Sequence, residues 1–547
     1  MSTHKTLLVC SCDQSQHLNP DALMQAAGAE QVIKVDQLCG SNMQTAVEHM
    51  AATNQLIIAC GQQAELFERL GEEIEAETGH VAPLASIDLR DRAGWSAPSA
   101  KPIRIEAKQS ALLAASQLPS PLAPLKTIVS NGVCCIVGPT DQAIKMAELV
   151  HESLGVTCIF TDGGPIQLPS ASYDMARGQL TDAKGALGCF ELSFSQLQTL
   201  NPAGRGAPSF GAAQASASSE CDVFIDLRGD EPAFPAHEKR NGYFWADPSL
   251  PAELERIALT AVERVGEFEK TVYFKLEESL CAHSRANQSG CTRCLDVCPT
   301  GAIFSAGDHV QIDSNICAGC GSCAAVCPTS AVTMTETPFE ALTRSIDTLA
   351  KTYKSHAGES PRLLLHTVKQ GGDAIAKLAR FGEGLADDLI PLALEHVDRV
   401  GHAEILAALG AGHSEVLILA DSDEIAAELA PQLELTHAMI RGAGQDETRV
   451  RLVTEADLSV AAQHSTPACD PVLLVGGRRD ITRVAVGAMA GDLEGPITLP
   501  KGAPYGAIEV NADKCTLCLA CVSLCPTGAL GDHPDRPEIQ FTENACV

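Results

Sequence analysis

The 547-residue chain carries 69 acidic against 39 basic residues, a formal charge of −30, with 23 cysteines and an ordinary share of apolar side chains. Such an acidic balance is the reverse of a nucleic-acid binder's footprint, and a disulfide scaffold belongs to short secreted chains. The N-terminus leads into an apolar run too short for a signal-peptide core, and no stretch is long enough for a membrane span; the expectation is a soluble, cytoplasmic protein of roughly three to five domains without membrane insertion.

Residues 1–115 alternate strand-like runs (Leu7–Val9, Val32–Val35, Leu56–Ala59) with helical stretches at Thr45–Ala52 and Gln63–Glu73, the pattern of an α/β domain on a parallel sheet. Cys10 and Cys12 follow its first strand, Cys39 the second, and Cys60 ends the third. Strand C-termini of a parallel sheet open onto one edge, so these four thiols would meet there, as one iron–sulfur cluster requires. The alternative is that they pack as small buried residues. A linker follows at Leu118–Pro124.

A second α/β unit covers 125–270, with strands at Val133–Val137, Val156–Phe160 and Val223–Leu227 and a helix at Asp141–Leu154. The Gly/Ala/Ser-rich stretch Asn201–Ser219 reads as a surface loop or a disordered segment. His237–Trp245 gathers basic and aromatic residues in an acidic, aromatic-poor chain, as a docking segment or as a loop packed on its own domain. Cys134, Cys135 and Cys158 read as core; Cys189, Cys221 and Cys469 are isolated.

Residues 271–335 read as a ferredoxin-like domain for two [4Fe–4S] clusters. Cys317, Cys320, Cys323, Cys327 and Pro328 form a complete C-x2-C-x2-C-x3-C-P run. Three thiolates come from one tight loop, while the fourth is carried away by the next helix to the other cluster of the pair. One cluster therefore takes Cys317, Cys320, Cys323 and Cys298. The other takes Cys291, Cys294, Cys327 and one more ligand. The standard position for that ligand is Gln288, which is no thiolate, so Cys281 is expected to return through a loop at Ala282–Gly290. A three-iron cluster and ligation by His283 are the alternatives, and zinc is the alternative metal for the C-x2-C pairs.

A third α/β unit spans 360–500, with strands at Leu363–Leu365, Leu389–Leu394, Val416–Ala420 and Val472–Val475; His396, His402 and His413 are too scattered for a metal site. Residues 501–547 read as a truncated second ferredoxin-like domain. Cys515, Cys518, Cys521, Cys525 and Pro526 repeat the run, and C-P-T-[GS]-A recurs at Cys298, Cys327 and Cys525. The strands Val310–Asp313, Ile508–Asn511 and Ile539–Thr542 each end four residues before a cysteine, so Cys546 is expected to open another run in a longer polypeptide. No G-x-G-x-x-G follows a strand, so a built-in nicotinamide or flavin site is unsupported while other binding modes stay open, and there is no P-loop or G-x-S-x-G elbow.

The cysteine regions resemble two-cluster bacterial ferredoxins. Val9-Cys10-Ser11-Cys12, Leu38-Cys39-Gly40 and Ala59-Cys60 resemble the start of heterodisulfide reductase A-type subunits, without the flavin domain that continues those proteins. Val397–Gly401 through Gly410–Gly412 resembles the small iron–sulfur subunit of viologen-reducing hydrogenase, without its cysteines. Glu238–Tyr243, Cys281–Arg285 and Gly290–Cys298 together are similar to large bacterial 4Fe–4S ferredoxin-type proteins encoded near formate dehydrogenases. The last resemblance implies Cys281 as a recurrent element and a formate dehydrogenase as partner. The reading is a multidomain α/β and α+β protein: Rossmann-like parallel-sheet units alternate with two-cluster ferredoxin-like modules. Its function would be electron transfer between redox protein partners. A heterodisulfide-reductase-like subunit with thiol chemistry, or a maturation factor for a molybdenum enzyme, are the rivals.

Overall fold

The computed structural model describes every residue except 1–4, 98–99, 167–171, 202–207, 230, 235–239, 286–287, 460–468, 494, 507, 526 and 547. The five sequence segments group into two compact units: Met1–Pro121, Lys275–Cys294 and Cys320–Val547 form the first, Leu122–Phe274 and Leu295–Gly319 the second.

In the first unit, β1 (Lys5–Cys10), β2 (Gln31–Val35), β3 (Gln55–Ala59) and β4 (Leu84–Ser86) form a parallel sheet in the order β2-β1-β3-β4. Alternation along β1 feeds two cores. Leu7 and Val9 point to one face with Ile57, and Leu8 and Cys10 to the other with Leu56 and Ile58. The first crossover helix, Pro20–Ala27, starts where the Asn19 side chain accepts the Ala22 N–H and proline occupies the first turn. It stops at Gly28, whose φ of 57° suits glycine.

A second parallel sheet in the same unit takes Leu389–Leu394, Arg362–Thr367, Val416–Leu419 and Val450–Val453 in that order, repeating the spatial order of the N-terminal sheet. The helices Pro102–Ser116 and Phe339–Ala357 join the two sheets, since Ala107, Ala111 and Leu113 share one core with Ile346, Leu349 and Tyr353. Polar ties reinforce the join: Arg380 pairs with Asp91 at 2.7 Å, and the Lys101 N–H donates to Asp387 at 2.8 Å. Arg362 opens its strand with a two-pronged pair to Asp388, both bonds 2.9 Å, with both side chains almost fully buried. Removing one partner strands a buried charge, so Arg362→Ala is expected to cost about 3–5 kcal/mol, read by denaturant unfolding. A loss below 1 kcal/mol would mean that the pair is effectively solvated.

The second unit is built on a mixed sheet. Gly155–Phe160, Val133–Gly138, Val223–Asp226 and Tyr243–Trp245 run parallel, with Tyr243–Trp245 at the end. On the other side Asp174–Lys184 and Phe190–Asn201 form a long antiparallel hairpin. The helices Thr140–Val150 and Pro251–Val262 cover one face.

Three expectations differ from the structure. Ile508–Asn511 forms no strand: among the described residues it has no partner strand, and Ile508 and Val510 stay exposed. Within the stretch read as a loop, Ser209–Phe210 and Ala217–Cys221 are strands paired to Phe190–Asn201; small polar residues hid a pairing that the partner strand decides. Val472–Val475 forms no strand: the fourth position is taken by Val450–Val453, while Leu473 and Val475 stay exposed. Among the described residues no helix is long and apolar enough to cross a membrane.

Candidate metal centres

In the first unit the chain approaches Cys281 through a turn at Glu278–Leu280 and leaves it through a hairpin pairing Ser284 with Ser289 and Arg285 with Gln288. The hairpin closes on His283, whose carbonyl accepts the N–H groups of Gly290 (2.7 Å) and Cys291 (3.3 Å). A Cβ at Gly290 would lie a tight 3.2 Å from the Ala282 carbonyl oxygen. Cys281 and Cys291 are thus brought side by side. Burial raises the Cys291 thiol, and so do Cys327 and Cys281. Cys294 is pushed up to about 12 by burial and then by Cys327, Cys291 and Cys281. Cys281 and Cys327 thus act on both Cys291 and Cys294, the residues expected to share their centre. His283 Nδ1 lies 2.8 Å from the Cys291 carbonyl oxygen, to which it donates, so that nitrogen is engaged by backbone.

Cys320, Cys323 and Cys327 are half-buried around the short helix Ser322–Val326. Gly321 precedes the helix at φ 90° with Arg399 packed where a Cβ would sit, 2.6 Å away. The Ser322 hydroxyl lies 3.5 Å from Cys320 Sγ and 3.0 Å from Asp398. In the second unit, Cys317 is raised by burial and then by Cys298 after the backbone N–H of Gly319 has lowered it, so these two thiols are also neighbours. Lys270 is drawn to Cys317 and holds the preceding loop through the Asn315 carbonyl at 2.6 Å.

The C-terminal run repeats this local geometry. Gly319 and Gly321 have φ of 84° and 90°; Leu517 and Leu519, at the matching positions, have 53° and 58°. A leucine pays roughly 1–2 kcal/mol for this conformation, so the loop shape answers to the cysteines rather than to backbone preference. Cys518 and Cys521 are exposed, while Cys515, Cys525 and Cys546 are half-buried.

In the N-terminal sheet the strand order reverses between β1 and β3, the point at which open parallel sheets bind ligands beyond their strand ends. Cys10 Sγ lies there, 3.3 Å from the N–H groups of Cys12 and Leu38 and 3.9 Å from Cys12 Sγ. The Cys12 contact and these N–H groups hold Cys10 down to about 6, while Cys12 is pushed up. Cys60 is raised by burial and further by Cys39 and Cys10. Arg90 reaches Cys12 at 4.0 Å.

Residues 289–331 match the family model of a 4Fe-4S dicluster domain, and residues 508–531 that of a 4Fe-4S binding domain. No curated protein matches the chain. These are ferredoxin-type iron–sulfur domains. The cofactor is the [4Fe–4S] cluster, and the role is electron transfer. The donor set fits. Among the described residues no three His, Cys, Asp or Glu side chains are grouped so as to hold a single ion. Four thiolates on a cubane each meet a separate iron and need not converge on one point.

The threonine of the three C-P-T copies emerges only in the structure as a ferredoxin-domain element. Thr300 Oγ lies 3.6 Å from Cys298 Sγ, Thr329 Oγ 3.6 Å from Cys327 Sγ, and Thr527 Oγ 3.9 Å from Cys525 Sγ. The next residue is left-handed in all three: Gly301, Ser330 and Gly528 at φ 64°, 56° and 68°. To a ligating thiolate the hydroxyl can only donate, which favours the more negative, reduced state. Thr300→Val and Thr329→Val are each expected to lower one midpoint by about 20–60 mV, the one-electron equivalent of roughly 0.5–1.5 kcal/mol. EPR-monitored potentiometry reads the shift; unmoved midpoints would show that the hydroxyls donate elsewhere. The signal in the sequence was the repeated threonine itself.

His402 and His413 are structural. His402 lies 2.8 Å from both Gln432 and Tyr505, His413 lies 3.1 Å from the Ile346 carbonyl, and burial lowers both to about 4. Cys134, Cys135, Cys158 and Cys221 are buried, Cys189 is exposed and Cys469 half-buried. Of the segment read as docking, 237–239 lie outside the described residues.

Proposed function

We propose that the protein is a multi-cluster electron relay between redox enzymes. What supports this reading is that Cys281 and Cys327 both act electrostatically on Cys291 and Cys294, three of the four lying within the dicluster match and Cys281 outside it. In this reading those four hold one centre, and Cys298, Cys317, Cys320 and Cys323 hold the second. Cys515, Cys518 and Cys521 serve a third, with Cys525 and Cys546 serving its neighbour. The N-terminal quartet Cys10, Cys12, Cys39 and Cys60 holds a further one. Bound [4Fe–4S] clusters supply reversible one-electron transfer; the protein's part is to fix the thiolates, exclude water and donate hydrogen bonds to sulfur.

A formate dehydrogenase is the partner implied by the resemblance of Glu238–Tyr243, Cys281–Arg285 and Gly290–Cys298, and the acidic chain would steer towards basic docking surfaces on such enzymes. The full-length protein, purified without oxygen, tests the relay. Dithionite-reduced protein is expected to pass electrons to an oxidised acceptor such as cytochrome c over several one-electron steps. Failure of any centre to reoxidise would leave clusters without relay. For the N-terminal quartet, Cys10→Ala with Cys39→Ala is expected to remove about four irons per chain. An unchanged iron count would return those thiols to plain packing or to dithiol chemistry, for which the Cys10–Cys12 contact is suited.

A further inference from the structure

We infer that the second unit carries a pocket for a small organic anion with a flat ring, formed by Arg240, Tyr243, Phe244, Trp245, Arg256 and Arg264. A cavity of about 200 Å³ lies between the strand Tyr243–Trp245 and the helix Pro251–Val262 with the residues just beyond it. That strand is the last of its sheet and, among the described residues, pairs with Val223–Asp226. Arg240, Arg256 and Arg264 are among the residues that line the cavity, with no Asp or Glu among the described residues that do, in a chain whose formal charge is −30. Arg256 and Arg264 have no hydrogen-bond or ion-pair partner for their side chains among the described residues. The guanidinium groups of Arg256 and Arg264 offer forked donors for a carboxylate or phosphate, and Phe244, packed on the helix-covered face of the sheet, offers stacking for a ring. The volume accommodates one such ring with its anionic group.

Arg240 differs from the other two. It stacks over Phe234 at 3.9 Å and donates to the Gly185 carbonyl at 2.9 Å and to the Thr300 carbonyl at 2.5 Å. Its charge is therefore fixed two residues along the chain from Cys298, with which it interacts electrostatically. An anion seated on Arg240 offsets that charge. Binding then opposes reduction of the centre that Cys298 serves, and by linkage reduction weakens binding by the same factor. This coupling rests on the relay reading above, whereas the pocket does not, and the two are measured separately.

The test uses the full-length holoprotein with Trp95→Phe. Trp95 and Trp245 are the only tryptophans of the chain, so Trp245 then reports alone. Adenosine monophosphate and benzoate are expected to give saturable changes in its fluorescence. Inorganic phosphate should bind at least tenfold more weakly, because it has no ring to stack. Arg256→Met with Arg264→Met should weaken both ring-bearing anions at least tenfold with an unchanged melting temperature. No saturable change with either anion, or binding indifferent to the double variant, overturns the pocket. Phosphate binding as tightly as the ring compounds overturns the stacking and leaves a bare charge site. With saturating adenosine monophosphate, one midpoint should fall, by 59 mV for each tenfold difference in affinity between oxidised and reduced protein. Unmoved midpoints with intact binding overturn the coupling alone.

Discussion

Cys327→Ala is expected to empty the centre of Cys281, Cys291 and Cys294, although Cys327 closes the run that begins at Cys317. The loop of such a run supplies three thiolates, and the helix that follows carries the fourth to the neighbouring cluster. Here the helix Ser322–Val326 ends immediately before Cys327, and the field of Cys327 is felt at Cys291 and Cys294. The loss should be about four irons per chain. Membership of a centre is read by combining variants. Cys327→Ala with Cys291→Ala should lose no more iron than either alone, whereas Cys327→Ala with Cys320→Ala should lose both sets, because residues acting as a unit are non-additive. The reduced-state EPR spectrum should also change from that of two interacting spins to that of one. Additive loss with Cys291→Ala would mean that each run keeps its own fourth cysteine.

Cys281→Ala is expected to be equally severe, and it separates three readings of the same site. With Cys281 as fourth ligand, the variant loses the centre or is left with a three-iron remnant whose oxidised form gives its own EPR signal. With a three-iron centre already in the native protein, the variant changes nothing. With His283 as ligand, His283→Ala rather than Cys281→Ala causes the loss. The structure favours the first: Cys281 is buried, the hairpin at Ser284–Ser289 turns the chain back after it, and its field is felt at Cys291 and Cys294. Alanine is the proper replacement, since a serine oxygen can itself ligate iron.

Much of this was legible because cluster ligation imposes spacing. The run Cys317–Cys327 and its copy Cys515–Cys525 need no tertiary information, since the thiolates of one loop must curl round one cube. The strands Lys5–Cys10, Gln31–Val35 and Gln55–Ala59 were legible for a different reason: a parallel strand buried on both faces is a short unbroken apolar run. Cys281 was reachable by elimination and by resemblance, not by spacing, because Gln288 occupies the usual position and nothing in the spacing encodes a hairpin. The strands at Ser209–Phe210 and Ala217–Cys221 stayed hidden because their small polar residues take their order from the hairpin beside them. The common core of the helices Pro102–Ser116 and Phe339–Ala357 joins segments more than 200 residues apart, and no local pattern marks such a contact. Thr300, Thr329 and Thr527 stood in view as a repeat, but their function lies in a side-chain direction that spacing does not give.

The most direct measurement is elemental and EPR analysis of the full-length protein prepared without oxygen. The account predicts iron and acid-labile sulfide in equal amounts, at least two clusters per chain, and a reduced spectrum with spin–spin interaction. A colourless protein holding zinc in place of iron and sulfide would contradict it.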